Sequence, residues 1–149
     1  MEVKVGHIAH IINSACLTEI MLTGNARLYT HTAHSHNYIV GPFLVNNNHW
    51  NALIIDCARR YFYVLHPAKL DSVFGEMCLS KWRASMVSPR DLQIAHLNHP
   101  LQRDSINCGP IVCWLIENLL LMGNIPSCFP DWRNYRISMD NILKNNSVL

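Results

Sequence analysis

The sequence has no run of roughly 20 apolar residues, no excess of one charge and no low-complexity segment, and each lack removes a class of protein. Without such a run there is no candidate membrane-spanning helix, and the first residues lead into no apolar core of the signal-peptide kind. Ten acidic against twelve basic residues leave a formal charge of only +2. The basic residues are scattered, with Arg59-Arg60 the only adjacent pair, so charge points to no nucleic-acid partner. Half of the 149 residues are hydrophobic and 15% are charged, which excludes disorder and predicts a single globular domain over 1–149 with a sizeable core. The expectation is a soluble, monomeric, intracellular protein of the cytoplasm or nucleus.

Disulfide scaffolding is the next absence. The six cysteines, at 16, 57, 78, 108, 113 and 128, are an even number, yet four lie inside apolar runs rather than turn-rich spacings. They read as mostly buried, reduced thiols. His31, His34 and His36 cluster without a cysteine or acidic residue at a metal-binding spacing, so a solvated loop is expected, with no metal and no cofactor.

What is present is periodicity. Helical spacing runs over about 6–22 and stops at Gly24-Asn25, and a polar loop follows over 29–37. Runs rich in β-branched and aromatic residues at 38–45, 50–57 and 60–65 predict three strands. A helix is expected over 71–86, a strand over 92–97, a mostly apolar central helix over 108–122, and a weaker closing helix over 132–143 beyond Pro126 and Pro130. The order is that of an α+β domain without internal repeats.

The most informative stretch is Gln102-Arg103-Asp104-Ser105-Ile106-Asn107-Cys108-Gly109-Pro110, which puts one cysteine at the mouth of the central helix. Unpaired N–H groups and the macrodipole at a helix N-terminus favour a thiolate, the nucleophilic form of cysteine. Far upstream, His49-Trp50 opens a strand. A histidine near a cysteine can take its proton and return it to a leaving amine. The Cys108 backbone N–H and the Gln102 carboxamide can together hold the oxyanion formed on attack, and Gly109 suits close approach by a substrate backbone. Cys113, five residues beyond Cys108, should turn away from it and read as core.

These blocks, His49-Trp50-Asn51-Ala52-Leu53-Ile54-Ile55-Asp56, Val64-Leu65-His66-Pro67 and Gln102 through Pro110, resemble the ubiquitin-like-protein-specific cysteine proteases. That is the SUMO and NEDD8 protease family, related to the adenovirus-type protease. The resemblance covers roughly residues 38–122. It implies a papain-like, adenovirus-protease-like α+β domain: a mixed sheet flanked by helices, with the nucleophile opening a central helix. It also implies a thiol hydrolase in which Cys108 is the nucleophile, His49 the base and Gln102 the oxyanion donor. Trp50 would line a narrow tunnel for the substrate's C-terminal glycines, with Gly109 and Asn107 beside the substrate. The implied partner is a ubiquitin-like protein or a polyprotein substrate.

One catalytic position departs from that pattern. The family places an acidic residue 17 positions after the histidine, and this chain has His66 there. A two-residue hairpin tip at Cys57-Ala58 would set residues 49 and 66 opposite each other on one face. The third group of such a site accepts a hydrogen bond from the base, which a neutral imidazole can do. The expectation is an active but slower enzyme that fails as pH falls through the titration of His66. Asp56, at the far end of the hairpin, and Asp71, five residues past the expected site, are poor substitutes. Asn107 also stands where the family has Asp. The alternatives are a viral-type polyprotein protease, acetyl transfer through the same thioester, and an impaired protease fold that binds a ubiquitin-like protein without cutting it.

Overall fold

The computed structural model describes residues 9–25, 36–86 and 91–146. Within them five strands form one sheet in the order β1 (Ala9–Ile11), β2 (Tyr38–Val45), β3 (His49–Asp56), β4 (Tyr61–Leu65) and β5 (Gln93–Ile94). The two edge pairings are parallel and the two central ones antiparallel, so the sheet is mixed. Four helices accompany it: α1 (Ser14–Thr23), α2 (Ser72–Ser85), α3 (Cys108–Met122) and α4 (Trp132–Asn146). The expected α+β architecture, with the cysteine opening a buried helix, is present.

Three boundaries differ from the sequence reading, each for a local reason. The helix expected over about 6–22 begins only at Ser14, because Asn13 accepts the Ala15 N–H at 2.8 Å as an N-cap while residues 9–11 pair with β2. Its stop is as expected: Gly24 takes a left-handed conformation, φ 69°, and donates to the Ile20 carbonyl at 2.8 Å. The strand expected over 92–97 shrinks to Gln93–Ile94 beside β4. The closing helix runs to Asn146. Most of the polar loop expected over 29–37, with His31 and His34, lies outside the described residues.

Strand alternation divides the core between the two sheet faces. Leu53, Ile55 and Phe62 pack with Leu17 and Ile20 of α1 and with Cys78, Leu79 and Trp82 of α2. Ala52, Ile54, Tyr63 and Leu65 pack against Ile111, Val112, Trp114 and Leu115 of α3. β3 is buried from Asn51 to Asp56, as befits the middle strand. The thiols depart from expectation: only Cys78 and Cys108 are buried, Cys16 and Cys57 are half-buried, and Cys113 and Cys128 are exposed. Cys113 turns away from the nucleophile position, but toward solvent instead of the core.

Candidate active site

The β2–β3 hairpin closes through Asn46, Asn47 and Asn48, with left-handed φ of 53° and 58° at the first two. Asparagine enters that region more readily than most residues, so the polar run sets where β3 begins. His49 is therefore the first residue of β3. Trp50, one residue on, packs with the α3 side of the core. A methyl added to Gly109 would stand 3.6 Å from the Trp50 Cδ1 and 4.0 Å from its Nε1, ordinary contact distances. The indole thus flanks the helix mouth, and Gly109 leaves its edge uncovered.

The β3–β4 turn corrects the expected register. It holds four residues, 57–60, instead of two; Asp56 anchors it by accepting the Arg59 N–H at 2.9 Å, and Arg60 adopts φ 60°. Asp56 consequently pairs with Tyr61 and Ala52 with Leu65. Continuing that register sets His66 opposite Asn51, not His49. A shift of two preserves the face, and diagonal neighbours on one face remain within reach. The His49 and His66 ring centroids lie 4.5 Å apart at an interplanar angle of 42°.

The two rings meet in a tilted contact. An in-plane N–H···N bond between two imidazoles would hold the centroids about 5 Å apart with the rings nearly end to end. The His66 Nδ1 accepts the Ala68 N–H at 3.2 Å, so a neutral His66 carries its own proton on Nε2. Burial first, then His49 and Lys69, push its pKa down from 6.5 to about 4, against an opposing pull from Asp71. Asp71 is committed elsewhere: it caps α2 through the Phe74 N–H at 3.0 Å and pairs with Lys69 at 2.7 Å.

At the helix mouth Cys108 is 9% exposed, and Gln102 and Asn107 are 8% exposed. Gln102 donates its backbone N–H to the Pro67 carbonyl at 2.7 Å, which fastens the loop before α3 to the chain just past His66. Its Nε2 donates to Asp104 Oδ1 at 3.0 Å. That same oxygen accepts the Ile106 and Asn107 N–H groups at 2.9 Å each, and Oδ2 accepts Asn107 Nδ2 at 2.7 Å. The Asn107 side chain, led by its bond to Oδ2, and the other donors hold the Asp104 carboxyl well below the usual carboxylate range. Asn107 in turn accepts Arg136 Nη2 of α4 at 2.7 Å.

Three sequence-distant segments therefore converge: His49 and His66 touch, Gln102 is tied to residue 67, and Gly109 abuts Trp50. Among the described contacts no hydrogen bond joins Cys108 to His49, a bond that often tightens only in a substrate complex. His49 Nε2, Asn51 Oδ1 and Gln102 Oε1 are buried without hydrogen-bond partners in the protein, and buried polar atoms of this kind are few in folded proteins. A cavity of about 480 Å³ opens beside Gln102, walled by Leu101, Asp104, Ile111, Phe129 and Trp132. Among the described residues no three potential metal ligands gather, and no helix is long and apolar enough to cross a membrane. Asp104 escaped the sequence reading; its position three residues before Asn107 was the available signal, since Asp oxygens commonly accept backbone N–H groups two and three residues on.

No protein-family model and no curated protein matches the chain. Solved structures do. The SUMO protease Ulp1 with its catalytic cysteine oxidised to a sulfinic acid superposes with a TM-score of 0.65 at 19% identity, covering 85% of this chain and 63% of Ulp1. The C-terminal Ulp1 protease domain in complex with Smt3, the yeast ortholog of SUMO, gives 0.65 at 18% identity, covering 85% and 62%. The Xanthomonas campestris effector XopD bound to ubiquitin gives 0.63 at 17% identity, covering 93% and 80%. This chain thus spans less than two thirds of the Ulp1 structures and four fifths of XopD, and over that span it has the ubiquitin-like-protease fold of the SUMO protease Ulp1 and of XopD.

Proposed function

We propose that the protein is a cysteine protease or isopeptidase that cleaves after the C-terminal glycine of a ubiquitin-like modifier. The observation that carries this is the meeting of His49, His66, Gln102 and the Cys108 helix mouth from three separate segments of a fold shared with Ulp1 and XopD. The Smt3 and ubiquitin complexes of those two proteins motivate the choice of substrate class.

In this reading His49 takes the Cys108 proton and the thiolate attacks the glycine carbonyl, so a C–S bond forms as the carbonyl π pair moves onto oxygen. The Cys108 backbone N–H and the free proton of the Gln102 carboxamide hold that oxyanion. Asn107, the N-cap residue, makes no side-chain cap bond, which leaves the first helical N–H groups uncovered for this task. Collapse expels the amine, which takes the proton from His49, and leaves a thioester. Water, deprotonated by His49, then releases the glycine carboxylate and the thiol. The uncovered edge of Trp50 beside Gly109 suits a residue without a side chain.

His66 fits the third position differently from an acid. Its Nε2 carries the proton, so it meets the His49 ring in a tilted contact and supplies no acceptor. That feature favours a second reading, a protease fold that binds a modifier without cutting it. Incubation with ubiquitin-like modifiers bearing a C-terminal electrophile, beside Cys108→Ala, separates the two. Covalent capture of a modifier by the wild type alone is the expected result. Equal non-covalent binding by both proteins without capture establishes the binder, and no binding of any modifier overturns the substrate class.

A further inference from the structure

The Asp104 carboxylate belongs to neither pair of groups that carries out bond making, yet it receives four hydrogen bonds from three residues around the nucleophile. Its Oδ1 is shared between Gln102 Nε2 and the backbone N–H of Asn107, the residue before Cys108. Those two nitrogens therefore lie within about 6 Å of each other. A carboxylate can only accept, so it discriminates absolutely between the two ends of a carboxamide. With Asp104 in place the amide nitrogen of Gln102 faces the helix mouth and its oxygen, Oε1, points into the buried side without a partner. Reversing the amide would set two oxygens against each other.

Asp104 also draws the Asn107 side chain off the end of α3. Asn107 occupies the N-cap, where its side-chain oxygen would ordinarily accept a helical N–H. Here Nδ2 is bound to Asp104 and Oδ1 to Arg136, and the cap bond is not made. The same carboxylate thus sets the direction of one oxyanion donor and leaves the Gly109 N–H, next to the other, without a cap bond. Its charge is spread over four donors, which limits repulsion of an oxyanion nearby.

We infer that Asp104 is a positioning residue that fixes the Gln102 carboxamide with its nitrogen toward the Cys108 helix mouth. The functional consequence rests on the protease reading above; the orientation itself does not. Two measurements keep them apart. In ¹⁵N NMR spectra, with the Gln102 side-chain amide assigned by its loss in Gln102→Ala, one of its two protons should exchange slowly with solvent, and Asp104→Ala should abolish that protection. Equal, fast exchange of both protons in the wild type overturns the inference even if the enzyme is active.

The second measurement is a kinetic cycle on a fluorogenic ubiquitin-like substrate. Asp104→Ala should lower kcat by about tenfold to a hundredfold, with KM changed less than about threefold. In a Gln102→Ala background the same change should add less than about twofold, since its effect passes through Gln102. Alkylation of Cys108 by iodoacetamide, which forms no oxyanion, should proceed at the wild-type rate. Multiplicative losses in the double variant, or an equal loss in alkylation, overturn the inference. Asp104→Asn, which keeps acceptors for the Ile106 and Asn107 N–H groups, serves if the alanine variant misfolds and should show the smaller kinetic loss. A wild type that modifies no substrate while showing the protected Gln102 proton defeats the protease reading and leaves the orientation standing.

Discussion

At the scale of single residues, His66 decides how the site answers pH. The sequence alone places its titration in the ordinary histidine range, and so expects activity to fail there. Burial and the adjacent His49 and Lys69 move that titration to about 4, so His66 stays neutral through the range in which most hydrolases are assayed. Protonation of His66 should therefore cause no loss of turnover above pH 5. Replacing it supplies the missing acceptor: His66→Asp should raise kcat by about tenfold, because a carboxylate stabilises the imidazolium where the present ring cannot. An unchanged or lower kcat in a folded variant refutes that role. Stability follows the same shift. As pH falls below 6.5 the unfolded chain binds a proton that the folded ring refuses, so stability present above 6.5 is lost progressively toward 4. With solvent screening of this half-exposed group, the loss at pH 5 should be about 1 kcal/mol. Urea midpoints of wild type and His66→Asn, compared at pH 7 and pH 5, test it: the variant should lose less than the wild type on acidification.

At the scale of elements, the sheet and its flanking helix are held in register by a glycine inside a strand. A methyl on Gly41 of β2 would lie 2.9 Å from the Ile12 carbonyl oxygen and 2.9 Å from Leu17 Cδ2. The carbonyl belongs to backbone that also accepts no easy displacement, since the Ile12 N–H is bonded to Val40 at 2.8 Å. Gly41→Ala should cost about 2 kcal/mol, measured as a shift in denaturation midpoint without a change in slope; a neutral result would mean that α1 slides freely on β2. Much at this scale was legible in the sequence. The period of 3.6 marked α3 from Cys108 to Met122 without error, because an apolar helix bounded by a cysteine turn and Gly123 leaves little ambiguity. The hairpin register was not legible. The four-residue turn 57–60 is closed by Arg60 at φ 60°, and its side chain gives no warning of it. The start of α1 was misplaced because Ile11 and Ile12 fit a helical period, whereas residues 9–11 pair with β2 and Asn13 caps the helix. At the site, His49, Gln102 and Cys108 were marked by their order along the chain, and Asp104 by its spacing to Asn107, whereas Arg136 acts through a contact 29 residues away that no local pattern encodes.

For the molecule as a whole, the layers differ in how firmly they are bound. α3 buries six of its fifteen residues against the sheet, among them Ile111 and Leu115 at 0% exposure, and each such side chain contributes about 2 kcal/mol. α4 buries none of its fifteen and leaves Ile137, Ile142 and Leu143 about half exposed or more. It is held at its start, where Trp132 meets Trp114 edge to face and Phe129 at a tilt, and Tyr135 donates to Glu117 at 2.9 Å. Aromatic pairs of this kind add about 1 kcal/mol each beyond area burial. α4 should therefore open as a local unit below the global unfolding free energy. Because Arg136 donates to Asn107, each opening also removes one of the bonds on the turn before Cys108, while those to Asp104 remain. Native-state hydrogen exchange in subdenaturing urea should show the amides of 136–146 exchanging through a low-energy opening, while those of β3 and α3 exchange only with global unfolding. Trp132→Ala should lower that opening energy further by about 2 kcal/mol, and leave β3 protection less affected. Equal protection of α4 and α3 in the wild type would show that the closing helix belongs to the same cooperative unit as the sheet, and that the turn at Asn107 is held as rigidly as the nucleophile's own helix.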